Sequence, residues 1–176
     1  MDKKTFKDYI DYEIYRPYRE SKGRMSIFDK IWCKYLNPEL NAIYLIRKKQ
    51  YLEGQRGILK YISRLYHVKL MRRYGIHMTP GTKIGKGLRI AHPTSIVVTH
   101  CEIGENFTIY QNCTIGQKFY KSGRYPKIGN DVTLYANSSI IGDVTVGDNE
   151  VIGANSLLVK DALEPGNYVG SPARLI

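Results

Sequence analysis

The clearest candidate for chemistry in this sequence is His92, which lies in the stretch GLRIAHPTSIVV. An imidazole changes its protonation state near neutral pH and can act as a general base or acid. Its setting is unusual, because Ile90, Ile96 and Val98 are residue types of a buried strand, whereas Pro93 cannot donate a sheet hydrogen bond. The elements around His92 must explain why a polar ring and a proline interrupt an apolar run.

The other potentially reactive side chains carry weaker signals. Cys33, Cys101 and Cys113 form no CxxC pair and lack the spacing of metal ligands, so we expect reduced, buried thiols. His67 is expected on a helix surface, and His100 follows a strand after a shift in register. No metal site is predicted.

The residues around His92 belong to a repeat with a period of six. Aliphatic residues recur at this spacing along the second half of the chain: Ile84, Ile90 and Ile96, then, after a shift of one residue, Ile103, Ile109 and Ile115, and, after a second shift, Ile128, Leu134, Ile140, Val146, Ile152 and Leu158. A helix repeats every 3.6 residues and a half-buried strand every 2. A hexapeptide repeat is instead typical of a parallel β-helix.

We therefore expect a mainly β fold of about five coils, with three hexapeptides per coil, so that residues about 18 apart stack. Ile128 should lie next to Val146, and Leu134 next to Ile152. Glu150 departs from the pattern, because its position in the repeat normally points inward. The His92–Pro93 pair is expected at a turn between two short strands.

Residues 1–75 differ from residues 76–176 in composition. The first segment holds 18 lysines and arginines against 8 acidic residues, and ten of the 15 tyrosines; the second holds nine basic and eight acidic residues. Helical spacing in the first segment predicts a basic, Tyr-rich α-helical region, with Ser26 as the N-cap of one helix and Gly75 as the C-cap of another. Residues 76–176 should form the β-helix domain.

The basic charge of residues 1–75 suggests contact with an anionic membrane surface or an anionic glycan. The alternative is a solvated helical face whose lysine and arginine stems cover apolar surface. Nucleic acid is not expected, because no nucleic-acid-binding motif occurs. The sequence has no apolar run long enough for a membrane span and no signal peptide, so we expect a cytoplasmic protein.

Residues from about 58 to 176 resemble the hexapeptide-repeat acyltransferases, and most closely the serine acetyltransferase group. The resemblance rests on GTKIGKGLRIAHPTSIVV, on ENFTIYQNCTIG followed by KSGRYPKIGNDV, and on the ending VGSPARLI. The stretch RLYHVKLMRRYGI is similar to relatives assigned to surface or capsular polysaccharide biosynthesis. The resemblance implies a left-handed parallel β-helix, a homotrimer, and acetyl-CoA bound between subunits without a metal.

By this resemblance, His92 is the catalytic general base. It would accept the proton of an acceptor hydroxyl as the oxygen attacks the thioester carbonyl. Members of the serine group carry an aspartate 15 residues before this histidine, and this chain has His77 there as the candidate orienting residue. The aspartate that contacts serine is replaced by Ala91. A second active-site histidine is replaced by Tyr125, while Arg124 is retained, so both are acceptor-side candidates.

The resemblance also assigns candidate residues to the acetyl-CoA site. Gly116, Ala136 and Ala154 would line the pantetheine arm, because small side chains leave a shallow groove along a solenoid edge. Lys160 and Arg174 would meet the CoA phosphates. The insertion QKFYKSGRYP, which interrupts the repeat, is expected to reach over the active site of a neighbouring subunit.

These expectations favour acetyl transfer to a sugar hydroxyl in surface or capsular polysaccharide biosynthesis. The main alternative is serine O-acetylation in cysteine biosynthesis, against which the changes at Ala91 and Tyr125 argue. A catalytically silent scaffold is a further alternative. A metal-dependent hydratase on the same fold is not supported, because His77, His92 and His100 lack the required spacing.

Overall fold

A computed structural model describes residues 1–119 and 123–176, which divide into two units, Met1–Tyr74 and Gly75–Ile176. The first unit is helical. Its α-helices are α1 (Lys3–Ile10), α2 (Arg16–Lys22), α3 (Ile27–Ile31), α4 (Pro38–Glu53) and α5 (Ile58–Tyr74), and π-helical turns occupy Asp11–Tyr15 and Trp32–Leu36. Within the described part of the chain, no helix is both long and apolar enough to cross a membrane.

Local sequence signals define the helix ends, as expected for Ser26 and Gly75. The Ser26 hydroxyl accepts a hydrogen bond from the Asp29 N–H, and the Asp29 carboxylate accepts one from the Ser26 N–H, so a capping box begins α3. Asn37 caps α4 through the Leu40 N–H. Gly75 follows α5 with φ of 65°, a left-handed conformation that suits glycine.

The spacing of apolar residues in α5 predicts an apolar side that includes Ile58 and Leu65. These two residues are 72% and 67% exposed, whereas Ser63 and Leu70 are buried. Ser63 and Leu70 are seven residues apart, which places them on one face of the helix. The helix therefore buries a narrow face within its own unit and leaves large apolar side chains exposed.

The second unit contains short strands wound into three sheets. Sheet A contains β1 (His77–Met78), β4 (Val97–Val98), β7 (Thr114–Gly116), β10 (Ser139–Ile141) and β13 (Leu157–Leu158). Sheet B contains β2 (Lys83–Ile84), β5 (Glu102–Ile103), β8 (Lys127–Ile128) and β11 (Thr145–Val146). Sheet C contains β3 (Arg89–Ile90), β6 (Thr108–Ile109), β9 (Thr133–Leu134), β12 (Val151–Ile152), β14 (Asn167–Gly170) and β15 (Ala173–Leu175).

All strand pairs are parallel except β14 with β15, which are antiparallel. The chain visits the sheets in the order A, B, C within each coil, which is the topology of a β-helix. Ile128 pairs with Val146 and Leu134 with Ile152, as the repeat predicts. The left-handed parallel β-helix with an N-terminal helical region is confirmed.

Three columns of aliphatic side chains fill the centre of the solenoid; here a column is a set of residues at equivalent positions in successive coils. The buried columns are Met78, Val98, Ile115, Ile140 and Leu158 in sheet A, Ile84, Ile103, Ile128 and Val146 in sheet B, and Ile90, Ile109, Leu134, Ile152 and Tyr168 in sheet C. Each column places apolar groups one coil spacing apart, about 4.8 Å. This packing fixes the register of the corners between the sheets.

The position of Ile96 in the repeat was predicted wrongly. Val98, not Ile96, pairs with Ile115 and belongs to the central column. Ile96 is buried one residue before β4, at the position that Cys113 takes in the next coil. The predicted shift of one residue therefore combines two opposite changes, a corner that is two residues longer after Ile90 and a corner that is one residue shorter before Ile103.

Candidate active site

The turns from sheet C to sheet A form one edge of the solenoid, called here the C–A corner (residues 91–96, 110–113, 135–138 and 153–156). Coils closer to the C-terminus are called upper here. In the three upper coils, Asn112, Asn137 and Asn155 adopt φ of 58°, 62° and 58°. Asparagine tolerates this left-handed conformation better than most residues. The Asn112 side-chain amide donates to Asn137 Oδ1 at 3.0 Å, and that of Asn137 donates to Asn155 Oδ1 at 3.1 Å. These three turns form a regular, hydrogen-bonded edge.

The lowest C–A corner contains two additional residues, His92 and Pro93. The Ala91 N–H donates to the Ile109 carbonyl, as the Tyr110 N–H does to Leu134, so Ala91 and Tyr110 are equivalent. The Asn112 N–H donates to the Thr94 carbonyl, in the pattern of the coils above, so Thr94 is equivalent to Gln111.

The His92–Pro93 pair thus has no counterpart in the upper coils. His92 has φ of 56° and is exposed, whereas Pro93 is buried and anchors the bulge. The Thr94 N–H donates to the His92 carbonyl at 2.7 Å, which closes a tight turn. The chain therefore presents an imidazole on the outside of the solenoid, and the missing N–H of Pro93 leaves no ladder hydrogen bond unmade.

His77, the candidate orienting residue, lies in the coil beneath the His92 bulge. Its N–H donates to the Ile96 carbonyl at 2.8 Å, and its strand pairs with Val97. Gly75 approaches Ser95 so closely that a Cβ at Gly75 would lie 3.3 Å from the Ser95 nitrogen. His77 is half-buried on the outer face of sheet A, next to the corner that carries His92.

Three of the predicted acetyl-CoA residues lie on the same edge as His92. Ala136 and Ala154 occupy the column that begins with Thr94, and the Asn155 N–H donates to the Ala136 carbonyl at 3.0 Å. Arg174 lies on β15, which pairs with β14 where β14 extends this edge upward. His92, the two alanines and Arg174 therefore follow one another up the C–A corner.

The remaining predicted site residues lie on a different edge, the A–B corner, where the chain passes from sheet A to sheet B (described residues 79–82, 99–101, 117–119, 123–126, 142–144 and 159–162). Gly116 ends β7, and Arg124 and Tyr125 precede β8. Arg124 faces Asp143 at 3.8 Å. Lys160 follows β13 and is exposed.

The insertion that interrupts the repeat connects β7 to β8 at this corner. Gln117 Nε2 donates to the Arg124 carbonyl at 2.8 Å and joins the two ends of the insertion. Residues 120–122 lie outside the described residues, so the predicted reach of this loop over a neighbouring subunit stays a prediction.

A cavity of about 650 Å³ opens at the A–B corner beside Gly116 and Gln117. His100 lines this cavity, and its ring meets the Tyr125 ring edge-on at a centroid distance of 4.7 Å. Sequence reasoning gave His100 little weight because it follows a shift in register. That shift shortens the corner by one residue, and strand pairing places His100 level with Tyr125 in the next coil.

A single chain therefore does not bring its predicted site residues together. His92 lies on the C–A corner, whereas Arg124, Tyr125 and Gly116 lie on the A–B corner, and sheet A separates the two edges. The C–A corner offers an exposed imidazole and two alanines, and the A–B corner offers a cavity, a cation and two aromatic rings.

None of the three cysteines presents an exposed thiol at either edge. All three are free and buried, as predicted, and burial raises the pKa of the Cys101 thiol to about 12. Among residues 1–119 and 123–176, no group of three His, Cys, Asp or Glu side chains could hold a metal ion.

Comparison with known proteins identifies the family. A profile described as "Bacterial transferase hexapeptide (six repeats)" matches residues 125–160. The serine acetyltransferase of Helicobacter pylori (strain ATCC 700392 / 26695) is 34% identical over 143 residues, which cover 80% of this chain and 82% of that enzyme. The serine acetyltransferase of Staphylococcus aureus (strain Mu50 / ATCC 700699) is 34% identical over 139 residues, but the match spans only 61% of that longer enzyme.

The likeness extends to solved structures. A serine acetyltransferase solved as a complex with CoA superposes with a TM-score of 0.79 at 26% identity, covering 99% of this chain and 70% of that one. The enzyme from Neisseria gonorrhoeae gives a TM-score of 0.80 at 26% identity, with 99% and 67% covered. The chain belongs to the serine acetyltransferase family of hexapeptide-repeat acyltransferases and is an O-acetyltransferase of the acetyl-CoA-dependent type.

Proposed function

We propose that the protein transfers the acetyl group of acetyl-CoA directly to an acceptor hydroxyl, with His92 as the general base. The observation that carries this proposal is the two-residue bulge, because it holds an exposed imidazole at the foot of the edge that carries Ala136 and Ala154. His92 takes the hydroxyl proton while the oxygen attacks the thioester carbonyl. The C–S bond then breaks, and the CoA thiolate takes that proton from the imidazolium.

In this proposal, His77 orients the His92 ring. A neutral imidazole can accept a hydrogen bond but cannot stabilise an imidazolium as a carboxylate does. We therefore expect a less activated base than one paired with aspartate. His77→Asp should raise kcat if this difference limits the reaction, and a matched His77→Asn variant, which adds no charge, should not.

The division of site residues between two edges supports a homotrimeric enzyme. The C–A corner of one subunit, with His92, Ala136, Ala154 and Arg174, would face the A–B corner of its neighbour. That neighbour would contribute Gly116 and Lys160 to acetyl-CoA, and Arg124 and Tyr125 to the acceptor. The pantetheine arm would lie along the two alanines, and the two cations would meet the CoA phosphates.

A mixing experiment tests this shared site. His92→Ala and Arg124→Ala each damage a different edge, so each variant alone should be impaired. When the two are co-refolded in equal amounts, about a quarter of the sites should combine two intact edges and recover activity. Co-refolding that restores nothing would contradict a site built from two subunits, and a monomeric mass by light scattering would do so as well.

L-serine is the acceptor that the comparisons support best, because both relatives described above carry that acceptor in their names. Release of free thiol from acetyl-CoA in the presence of L-serine is the direct test. A sugar hydroxyl, as in a surface-glycan precursor, is the second candidate. Its support is local, since Ala91 provides no carboxylate for an ammonium group and Tyr125 is not a histidine.

We also propose that the basic helical unit contacts an anionic membrane surface, close to a cytoplasmic site of reaction. Its support is the excess of lysine and arginine in residues 1–75 together with exposed apolar side chains, among them Phe28 at 78% and Leu36 at 62%. The protein should sediment with phosphatidylglycerol vesicles but not with phosphatidylcholine vesicles. Phe28→Ser should weaken this sedimentation, whereas Leu163→Ser, an exposed apolar residue of the β-helix, should not.

A further inference from the structure

Two tyrosine rings stack beside the His92 bulge. Tyr110 and Tyr135 lie with centroids 5.0 Å apart and planes inclined by 29°. The Ala91 N–H donates to the Ile109 carbonyl, and the Tyr110 N–H donates to the Leu134 carbonyl, so Ala91, Tyr110 and Tyr135 form one column. The residue directly before His92 is thus the lowest member of an aromatic column.

Ala91 leaves room under this stack. Successive coils are about 4.8 Å apart, so a column of rings is continuous when every coil supplies one. Tyr135 stacks on one face of Tyr110, and the equivalent position in the coil on the opposite side is Ala91, whose side chain is a methyl group. A flat ring that stacked on Tyr110 above Ala91 would lie immediately beside the imidazole of His92.

The space next to Tyr110 on the side of Ala91 is called here the slot. The columns around it carry little charge. The aromatic column continues from Tyr135 to Gly153, and the neighbouring column is Thr94, Gln111, Ala136 and Ala154; none of these side chains is ionisable near neutral pH. Arg89, two residues before Ala91, is a cation. An amino acid acceptor would therefore find no carboxylate in these two columns to pair with its ammonium group, whereas a neutral hydroxylated ring needs none.

The residue that follows Tyr110 has a buried polar atom without a hydrogen-bond partner in the described part of the chain. Gln111 Oε1 is buried and makes no hydrogen bond within residues 1–119 and 123–176. Gln111 directly follows Tyr110 and lies in the coil above the His92 bulge. An unpaired buried acceptor carries a free-energy cost that a hydroxyl donor would remove.

We propose that the acceptor is a neutral pyranose whose C–H face stacks on Tyr110 above Ala91, with one hydroxyl donating to Gln111 Oε1 and another facing His92. The inference rests on the proposed function, because it assumes acetyl transfer at His92. The reacting hydroxyl oxygen forms the new ester bond, its proton passes to His92, and the thioester C–S bond breaks to release CoA, which leaves as the thiol with that proton.

Thiol release from acetyl-CoA tests this assignment on the full chain with defined acceptors. The acceptors are L-serine, the methyl pyranosides of glucose, galactose and mannose, and N-acetylglucosamine. We expect at least one pyranose to be acetylated with a higher kcat/KM than serine. Serine outperforming every pyranose would overturn the proposal.

Substitutions at Tyr110 and Ala91 provide a second test of the proposed acceptor site. Tyr110→Ala should lower kcat/KM for the pyranose by about 3- to 10-fold, mainly through KM, because stacking on the ring is lost. Tyr110→Phe keeps the ring, so the KM for the pyranose should rise less than in Tyr110→Ala. Ala91→Leu should obstruct the slot without removing a ring, while the KM for acetyl-CoA stays unchanged in all three. Tyr61→Ala, at a residue of the helical unit that is 60% exposed, is the control substitution.

The outcomes separate this inference from the proposed function. Full activity of His92→Ala, or no thiol release with any acceptor, would contradict the proposed function itself. If transfer depends on His92 but Tyr110→Ala and Ala91→Leu affect pyranose and serine equally, only the stacking assignment is wrong.

Discussion

Two positions depart from the hexapeptide repeat in opposite directions. At His92 and Pro93 the chain adds two residues and places an ionisable ring outside the solenoid. At Glu150 the chain keeps its length and places a carboxyl group inside, in a column whose members in the preceding coils, Leu88, Phe107 and Val132, are apolar and buried. The outward departure leaves the core columns intact, whereas the inward one introduces a buried polar group.

This contrast shows where a β-helix can accommodate chemistry. A corner can lengthen because the strands before and after it keep their partners, here Ile90 with Ile109 and Val98 with Ile115. An inward position has no such freedom, since its neighbours in the coils above and below fix its surroundings. The side chain proposed as the general base therefore lies where the repeat is broken in length, and we expect a departure in polarity to carry a cost in stability.

The largest expected effect comes from removing the bulge. Deletion of His92 and Pro93 together should restore a regular corner, because Ala91 would then connect to Thr94 as Tyr110 connects to Gln111. We expect acetyl transfer to fall by about 100- to 10,000-fold, the usual contribution of a general base. Thiol release measures the activity, and His92→Ala should lose a similar factor.

Retention of the fold is the control for this deletion. Circular dichroism should be unchanged, and the thermal midpoint should stay within about 3 °C of the wild type. If the deletion unfolds the β-helix instead, the bulge is part of the solenoid's structure and the contrast with Glu150 is wrong.

The sequence predicted the solenoid because its core obeys a simple spacing. Stacking of Ile128 with Val146 and of Leu134 with Ile152 required only the period of six. The bulge was harder to locate, because an insertion of two residues before Val98 and a deletion of one before Ile103 together look like a shift of one. Ile96 is apolar and buried as well, so hydrophobicity alone could not separate it from Val98.

The site was predictable only in part for a related reason. Residue type and resemblance could nominate His92 and Tyr125, but the assignment of each to a corner depends on which strand it follows. The Tyr110–Tyr135 stack and the His100–Tyr125 contact join residues 25 positions apart, because an insertion lies between their coils. No fixed period of 18 would have aligned them.

A regular corner should respond to substitution through stability rather than activity. Asn137 has φ of 62°, and its side chain accepts a hydrogen bond from Asn112 and donates one to Asn155. Asn137→Ala should lower the free energy of unfolding by about 1–2 kcal/mol, since alanine tolerates this conformation poorly. Asn137→Gly loses the same side-chain hydrogen bonds without that strain, so it should cost less. Equal losses in denaturant titrations of the two variants would mean that backbone conformation is not the cause.

The smallest expected effect is at Glu150, and it should be a gain. Glu150 Oε2 accepts a hydrogen bond from the Gly166 N–H at 3.2 Å, while Oε1 is buried without a partner in the described part of the chain. Burial raises the pKa of this carboxyl group, so the folded state holds its proton more tightly than the unfolded state. Tighter proton binding stabilises the folded state. This contribution is complete at a pH below the pKa of glutamate in the unfolded chain, about 4.3, and is lost as the pH rises through the higher pKa of Glu150 in the folded state.

Glu150→Gln keeps an oxygen for Gly166 and removes the charge. At pH 7 it should therefore raise the free energy of unfolding by about 1 kcal/mol, which corresponds to a gain of about 2–4 °C in the thermal midpoint. The difference from the wild type should shrink as the pH falls toward 4, where both side chains are neutral. Glu53→Gln, at a largely buried carboxylate that accepts from Lys49 at 2.6 Å, is the matched control and should be destabilising at pH 7. A Glu150→Gln variant that is less stable than the wild type at pH 7 would mean that the inward charge is compensated, and that both departures from the repeat are tolerated by the fold.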